Sequence, residues 1–384
     1  MPEGAWRRPW LHALALAALA ACDPSRTTAD GAGEAAAPPA PSGPATILLA
    51  GDTMLGRRID AQLAADPALQ LFREFEPWTA DVDLLAVNLE TTITTAEQEW
   101  PGKNYHFKMA PERAALAFGK LPVAAGMPIF VSLANNHTLD FGHRGLTDTL
   151  DTLVGARIVA VGAGRNANEA ARPAAVTVAG GCRVVISSFG TQSSGIPLAW
   201  AAARDRAGVH LLPDLSVATA DRVAGRLLHA KRPGDIAIAS IHWGSNWGYE
   251  VPADEVGFAH RLIDCGVDLV HGHSSHHPRP IQVYRGKLII YGCGDLVDDY
   301  EGIGGYEKYR DDLRMLYFAS VEPATGRLIR LRMAPMQARQ MRLRHTSAED
   351  TEHLRSVLSG VCQRFGSRVE LGPDGMLRLA TVDR

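Results

Sequence analysis

Short apolar runs rich in β-branched residues alternate along this chain with segments of helical periodicity. The runs lie at residues 46–51, 83–88, 129–134, 157–161, 182–188, 235–241, 267–270, 286–291, 313–321 and 327–333. Each has the length and composition of a buried strand. Between two of them, over 143–154, Leu146, Leu150 and Leu153 share one helix face before Gly155. This alternation predicts an α/β domain with a largely parallel sheet flanked by helices.

The first residues follow a different pattern. Two arginines precede the apolar run 10–21, which is shorter than the roughly 20 residues that cross a bilayer and is typical of an export signal. Leu19-Ala-Ala-Cys22 resembles a bacterial lipoprotein processing box, which makes residues 1–21 a lipoprotein signal peptide and Cys22 the lipidated residue. Ordinary cleavage next to an incidental cysteine is the alternative. Asp23 resembles an inner-membrane retention signal, so we expect a lipid-anchored protein of the cell envelope, at the periplasmic face of the inner membrane.

Composition divides the rest of the chain into three parts. Residues 22–44 hold almost no large apolar side chain and are predicted to form a disordered tether. Residues 45–340 carry the alternating pattern and are assigned to one domain. Residues 341–384 form a small C-terminal α+β extension, with an amphipathic helix at 347–365 and a β-like tail at 368–382. With 384 residues and 46% hydrophobic content, the chain can bury a sizeable core.

Charge and cysteine content narrow the function classes. The net charge of −3 comes with no basic stripe, so nucleic acid is not an expected partner. Apart from Cys22, four widely spaced cysteines form no Cys-x-x-Cys pair and so indicate no zinc knuckle. Whether any of them forms a disulfide bridge is left open.

Side chains suited to divalent cations follow five of the apolar runs. They are Asp52, Glu90, the pair Asn136 and His137, His242, and the cluster His271-Gly-His-Ser-Ser-His-His277. Ligands of open α/β sheets collect at the carboxyl ends of strands, where all five positions lie. We therefore predict a metal site there. A helix cap at Asp52 or a hydrogen-bonded turn at 136–137 would explain either motif alone.

Together these motifs resemble the metallophosphatase superfamily, in the branch of the CapA, or poly-γ-glutamate capsule synthesis, proteins. The resemblance covers about residues 46–300, with the motifs in the right order. They are Gly51-Asp52, Asn88-Leu-Glu-Thr91, Ala134-Asn-Asn-His-Thr-Leu-Asp-Phe-Gly142, His242-Trp-Gly244, Gly272-His-Ser-Ser-His276 and Val283-Tyr-Arg-Gly-Lys287. The resemblance implies a four-layer α/β/β/α sandwich of metallophosphatase type with a two-metal centre at its apex.

The resemblance also implies a role for each residue of the centre. Two divalent ions, Mn, Fe or Zn, would be held by Asp52, Glu90, Asn136, His242, His273 and His276. Glu90 would take the bridging position that many relatives give to Asp. His137 would protonate the leaving oxygen, and Asp140, which closes the same loop, is counted with it as catalytic.

Three positions depart from the family pattern. Met54 stands where an imidazole is usual, two residues after Asp52. Ser274 replaces another imidazole, for which the neighbouring His277 could substitute. Gly294-Asp295 replaces the more familiar Gly-Asn. These changes leave open the identity of the metal and the occupancy of the first site.

Substrate contacts are less well marked. The segment Tyr105-His-Phe-Lys108 resembles a family segment near the site and could supply Lys108 or His106 to an anionic substrate. A solvated surface loop is an equally good interpretation. Trp247 and Tyr249 are expected to pack rather than to bind substrate, and the loop 298–312 either overhangs the site or is a solvated loop.

The sequence therefore predicts a membrane-tethered, metal-dependent hydrolase. It would act on an ester or amide-like bond in capsule, poly-γ-glutamate or other cell-envelope polymer metabolism, with an anionic polymer or a phosphoester as substrate. The alternative is a non-hydrolytic component of a capsule synthesis or export complex that binds an anionic polymer. A third possibility is an envelope lipoprotein whose histidine cluster is vestigial.

Overall fold

The computed structural model describes residues 43–381 apart from 122, 125 and 301. The predicted signal peptide, Cys22 and nearly all of the predicted tether lie outside these residues. Within the described part, no helix is both long enough and apolar enough to cross a membrane.

Twenty strands and seven α-helices make up the part of the chain that the structure describes. The strands are β1 (Ala45–Thr53), β2 (Leu84–Leu89), β3 (Thr92–Ile93), β4 (Lys108–Met109), β5 (Ile129–Ser132), β6 (Val159–Val161), β7 (Ala163–Gly164), β8 (Ala174–Thr177), β9 (Arg183–Gly190), β10 (Gly208–Val209), β11 (Ile236–His242), β12 (Leu269–His273), β13 (Ile281–Tyr284), β14 (Lys287–Ile290), β15 (Asp295–Val297), β16 (Leu313–Val321), β17 (Leu328–Arg339), β18 (Arg342–His345), β19 (Ser367–Leu371) and β20 (Leu377–Thr381). The helices are α1 (Arg58–Ala65), α2 (Pro111–Phe118), α3 (Gly142–Gly155), α4 (Ala167–Ala170), α5 (Val217–His229), α6 (Ala253–Cys265) and α7 (Ala348–Cys362). All ten apolar runs of the sequence form strands, and the helix predicted over 143–154 is α3.

Two large sheets hold most of these strands. The first has the order β19-β20-β17-β16-β1-β2-β5-β6, with β15 beside β1 and β18 beside β17, and the second has the order β13-β14-β12-β11-β9-β8. Strands β1, β2, β5 and β6 are parallel, as are β9, β11, β12 and β14. Antiparallel strands extend both sheets. The predicted parallel arrangement is therefore confirmed for the centre of each sheet but not for its flanks.

The two sheets pack face to face, with helices outside. Ile47 and Leu49 of β1 belong to the apolar layer that also holds Ile238 of β11, so this layer lies between the sheets. Leu48, pointing the other way, packs in the layer with α1 and α3, while α5 and α6 cover the outer face of the second sheet. The predicted four-layer α/β/β/α sandwich is confirmed. Truncating a side chain such as Leu48 to Ala would cost about 2–5 kcal/mol of unfolding free energy.

The C-terminal extension is built as its amphipathic pattern predicts. Helix α7 begins after Ser347, whose Oγ accepts a hydrogen bond from the Asp350 backbone N–H at 3.0 Å. Strands β19 and β20 form a hairpin, and β20 pairs with β17. The extension thus lengthens the first sheet.

The carboxyl ends of the parallel strands of both sheets meet at one edge of the sandwich. The contact between the sheets there includes His271 of β12, whose Nε2 lies 2.9 Å from the Ala50 carbonyl oxygen of β1. Side chains that follow β1, β2, β5, β11 and β12 are consequently placed close together.

Candidate metal centre

Four strands deliver predicted ligands to this edge. Asp52 lies near the end of β1, Glu90 follows β2, and His242 and His273 end β11 and β12. The ladder between β11 and β12 pairs His242 with His273, which places their Nδ1 atoms 2.9 Å apart. All four residues are buried, with at most 3% exposed. Strand register therefore gathers donors that are far apart in sequence.

Asp52, His242 and His273 form one candidate metal site, which we name the nitrogen-rich group. One donor atom from each residue lies within 4.8 Å of the others. Asn136 extends the set, because its Oδ1 lies 3.1 Å from His242 Nε2. Asn88, the partner of Asp52 in the β1–β2 ladder, donates to Asp52 Oδ1 at 2.8 Å and holds this carboxylate in place.

Asp52, His276 and Asp295 form a second candidate site, the oxygen-rich group, with donor atoms again within 4.8 Å of one another. The His276 Nδ1 atom lies 3.0 Å from Asp295 Oδ1. The Tyr300 hydroxyl donates to Asp295 Oδ2 at 3.2 Å. Asp295 is a candidate ligand that the sequence analysis missed. The only signal for it was the replacement of Gly-Asn by Gly294-Asp295.

Glu90 lies between these groups and His137. Its Oε1 atom is 3.9 Å from both His137 Nε2 and His242 Nε2, and its buried Oε2 atom has no hydrogen-bond partner in the part of the chain that the structure describes. Burial, and next the neighbouring Asp52 carboxylate, raise the pKa of Glu90 well above its usual range. The residue common to the two groups is Asp52, whereas the resemblance assigned the bridging position to Glu90.

The charges of the centre are unbalanced. Asp52, Glu90 and Asp295 are buried, while the nearby cations Lys103 and Arg314 are each paired with another aspartate at 2.5 Å. Burial, followed by the Asp295 carboxylate, raises the pKa of Asp52 to about 7. Desolvating several carboxylates without compensation costs several kcal/mol per charge. Divalent cations would remove that cost, so the donor set fits metal ions.

The imidazoles of the two groups differ in charge. Burial lowers the pKa of both His242 and His273 well below the usual value, which keeps them neutral, as metal ligands must be. Burial also acts to lower the pKa of His276, but the Asp295 carboxylate outweighs it and raises this pKa to about 9. His276 is therefore a protonated imidazolium at neutral pH until an ion displaces its proton.

His137 is held by a chain of polar contacts. Its Nδ1 atom lies 2.6 Å from Asp140 Oδ2, and the Phe107 backbone N–H donates to the same oxygen at 2.7 Å. Lys103 binds Asp140 Oδ1 at 2.5 Å and also contacts the Asn136 carbonyl. Burial lowers the pKa of His137 to about 4, against the opposing effect of Asp140. Nε2 is consequently the free atom at which this ring exchanges a proton.

A cavity of about 550 Å³ opens onto these residues. Its polar lining includes Glu90, Asn136, His137, Lys103 and His276. The remaining lining residues are Met54, Arg57, Asn104, Tyr105, Phe107, Asn246, Tyr300, Gly302 and Ile303. A substrate in this cavity would therefore touch His137, Asn136 and His276, the last of which belongs to the oxygen-rich group.

The model of the family described as bacterial capsule synthesis protein PGA_cap matches residues 46–300. The chain belongs to this capsule synthesis family. A probable polyglutamine synthesis accessory protein of Mycobacterium tuberculosis strain H37Rv is 46% identical over 369 residues, which cover 87% of this chain and 95% of that protein. The PGA biosynthesis protein CapA of Bacillus subtilis is 29% identical over 280 residues, 72% of this chain and 68% of that one. The crystal structure of TT1561 of Thermus thermophilus aligns at 12% identity with a TM-score of 0.39, covering 74% of this chain and 97% of that one.

In this member of the capsule synthesis family, the predicted substrate contacts lie away from the cavity lining. Lys108 Nζ lies 3.2 Å from the Ala96 carbonyl and 3.0 Å from the exposed Glu97 carboxylate. His106 Nε2 lies 2.9 Å from the Trp100 carbonyl. Tyr105 of the same segment and Lys103, just before it, line the cavity instead.

The positions that depart from the family pattern are also placed. Met54 lines the cavity, and its Sδ atom lies 3.6 Å from the Tyr300 hydroxyl oxygen. His277 does not take the place of the absent imidazole, because its Nε2 accepts a hydrogen bond from the Gly248 backbone N–H at 3.1 Å and its ring stacks on Tyr309. Ser274 contributes its backbone N–H to Asp52 Oδ2 at 3.2 Å.

The aromatic residues beside the centre pack against one another, as expected. Trp247 stacks on Tyr306 with ring centroids 4.2 Å apart, and Tyr249 packs edge-on against His277. Within the loop 298–312, Tyr300, Gly302 and Ile303 line the cavity, so the loop overhangs it. The four cysteines in the described part are free thiols.

Proposed function

We propose that this protein is a metal-dependent hydrolase that cleaves an ester or amide-like bond in the metabolism of capsule, poly-γ-glutamate or another cell-envelope polymer. One observation carries the proposal: two groups of buried donors that share Asp52 lie beside a cavity that His137 and His276 line. Metal ligands without a proton-exchanging group would fit a storage or structural site equally well. The combination is what hydrolysis requires.

The residues of the chain would divide the work as follows. Asp52, His242, His273 and Asn136 would hold one divalent ion, Mn, Fe or Zn, and His276 would help to hold a second. Bound ions would lower the pKa of a water molecule and polarise the substrate oxygen.

Proton transfer would fall to His137. Asp140 fixes the orientation of its ring through Nδ1, and Lys103 fixes Asp140 in turn. These contacts leave Nε2, 3.9 Å from Glu90 Oε1, as the atom that would take up a proton and pass it to the leaving group, because the ring is neutral near pH 7.

Bound divalent ions would favour an anionic substrate, since they would place positive charge beside the cavity. Its own basic residues are already paired, Arg57 with Asp299 and Lys103 with Asp140, and Tyr105, which is 65% exposed, stands at the rim. An anionic polymer or a phosphoester has the matching charge. Lys108 and His106, which do not line the cavity, have no part in this proposal.

A second candidate function is that of a non-hydrolytic accessory that binds an anionic polymer in a capsule synthesis or export complex. The observation that favours it is the similarity to the mycobacterial protein, which is named as an accessory protein. For either function we propose a lipid anchor on Cys22 at the periplasmic face of the inner membrane. Labelling with radioactive palmitate, lost in Cys22→Ser, would support the anchor, and labelling that persists would refute it.

Turnover by the His137→Ala variant separates the two functions. Purified protein loaded with Mn²⁺ or Zn²⁺ is assayed with a chromogenic phosphodiester and with poly-γ-glutamate, and the metal content of each sample is measured. The hydrolase proposal expects turnover that falls about 10²–10⁴-fold in the variant at unchanged metal content. Fully loaded wild-type protein without turnover, or a variant as active as wild type, would contradict it.

A further inference from the structure

Strand pairing places two buried carboxylates next to each other. β15 runs parallel to β1, and the ladder pairs Asp295 with Asp52, both fully buried. Like charges directly opposite in a ladder are destabilising, and burial increases the cost. A cation between the two side chains would turn this repulsion into attraction.

The backbone fixes this arrangement tightly. The Asp52 N–H donates to the Gly294 carbonyl at 3.1 Å, and a side chain at Gly51 would collide with the same carbonyl oxygen. Gly51 is therefore required for the close approach of the two segments. Asp295 cannot withdraw from Asp52 unless this contact is broken.

Arg314 is bound mainly to Asp298 and reaches Asp295 only at a distance. It donates to Asp298 at 2.5 Å, and its Nη1 atom, 3.8 Å from Asp295, has no hydrogen-bond partner among the described residues. Asp295 contacts His276, the Tyr300 hydroxyl and the Asp298 side chain.

A third buried carboxylate, that of Glu90, also favours a cation at this place. Glu90 is 3% exposed, interacts with Asp52, and leaves its Oε2 atom without a hydrogen-bond partner among the described residues. Three buried carboxyl groups thus lie together beside the His276 ring.

We propose that Asp295 is a metal ligand and that the oxygen-rich group holds an ion of a different kind from that in the nitrogen-rich group. The proposal rests on the metal centre of the proposed function. Two carboxylates and one imidazole suit Mn²⁺ or Mg²⁺, whereas two imidazoles and one carboxylate suit Zn²⁺ or Fe²⁺. The two ions therefore differ in identity and in affinity.

Metal titration of the full chain tests the proposal. Metal-stripped protein is titrated with Mn²⁺ alone and with Zn²⁺ followed by Mn²⁺, and bound metal is counted by elemental analysis. Wild-type protein is expected to bind two ions, with Mn²⁺ taking the oxygen-rich group after Zn²⁺ has filled the nitrogen-rich one. Asp295→Asn is expected to keep one ion and to weaken Mn²⁺ binding at least about 10-fold, since even hydrogen-bond partners of ligands contribute 10–100-fold.

Asp299→Asn is the matched control. Asp299 is a buried aspartate in the same segment, but it binds Arg57 and belongs to neither donor group. It is expected to keep two ions.

The outcomes separate the two ideas. Wild-type protein that binds no metal would overturn the metal centre and this proposal together. Two ions in wild type and two in Asp295→Asn, at unchanged affinity, would overturn the role of Asp295 alone. If Asp295→Asn fails to fold, anomalous scattering from wild-type crystals soaked in Mn²⁺ decides: a peak within about 2.5 Å of an Asp295 oxygen supports the proposal, and an ion farther away overturns it.

Discussion

The two donor groups share Asp52 but are held by different kinds of structure. His242 and His273 of the nitrogen-rich group end two adjacent central strands, paired residue for residue from Ile238 and Leu269 onward. In the oxygen-rich group, Asp295 begins a strand of three residues, and His276 lies in the turn after β12. The first group is therefore fixed by a long ladder, and the second depends on one short strand and a turn.

This difference has consequences for charge as well as for rigidity. The imidazoles of the nitrogen-rich group are fully buried and neutral, ready to bind an ion. His276 carries a proton that Asp295 stabilises, so an ion entering the oxygen-rich group must displace it. We infer that the nitrogen-rich group binds its ion more tightly and the oxygen-rich group binds with greater dependence on pH.

The largest expected effect comes from removing a ligand of the nitrogen-rich group. His273→Ala removes one imidazole and leaves His242 Nδ1 without its partner at 2.9 Å. We expect the tight ion to be lost and turnover to fall about 10³-fold or more, since a Lewis acid contributes several kcal/mol to the barrier. Elemental analysis and steady-state kinetics measure both effects.

His271→Asn is the control for this variant. His271 lies on the same strand and is equally buried, but it contacts Ala50 and Ser240 and belongs to neither donor group. It should retain both ions. If His273→Ala keeps its full metal content, or if His273→Ala and His271→Asn lose the same amount of metal, His273 is not a specific ligand of the nitrogen-rich group.

A smaller effect concerns the pH dependence of the oxygen-rich group in metal-free protein. The folded-state pKa of His276 is about 9, against about 6.5 in the unfolded chain. Its contribution to stability is therefore complete below pH 6.5 and is lost as pH rises through about 9, a change on the order of 3 kcal/mol. His242 and His273 stay neutral across this interval and add nothing to it.

Urea unfolding in the presence of a chelator, at pH 7 and pH 9.5, measures this change. Wild-type protein should lose unfolding free energy over this interval, and His276→Gln should lose much less. Loading with Mn²⁺ should also flatten the wild-type dependence, because the ion takes the place of the proton. If the free energy of unfolding depends on pH equally in wild type and in His276→Gln, the charge of His276 does not distinguish the two groups.

The same contrast explains what the sequence could predict. Apolar runs identified ten strands, among them the eight parallel strands at the centres of the two sheets, and the polar residues at strand ends identified Asp52, Glu90, His242 and His273 as neighbours. Periodicity is a reliable guide for such strands because their burial is nearly complete. The antiparallel flanks depend on pairings that periodicity does not specify, so the sequence predicted a more parallel sheet than the structure has.

Side chains on short strands and loops were harder to place. Asp295 begins a three-residue strand. Its position next to Asp52 comes from the pairing of this strand with β1, which no local pattern reveals. In the segment 103–108 the sequence pointed to Lys108 and His106, whereas Lys103 and Tyr105 line the cavity. A loop without periodicity gives no indication of which side chain faces inward.

The smallest expected effect concerns Lys103, which contacts residues on both sides of His137. Lys103 contacts the Asn136 carbonyl and Asp140, and Asn136 adjoins His242 of the nitrogen-rich group. Lys103→Met should lower kcat about 10–100-fold, the value of one hydrogen bond to a charged group, with two ions still bound. Lys108→Met is the matched control.

Lys108 pairs with the exposed Glu97, and such surface pairs contribute at most about 1 kcal/mol. Its replacement should change kcat less than about 3-fold. If both lysine variants lose the same activity, the contacts of Lys103 do not position His137. If Lys103→Met loses an ion instead, Lys103 helps to hold the nitrogen-rich group itself. It contacts the backbone carbonyl of Asn136, and the side-chain Oδ1 atom of the same residue adjoins His242.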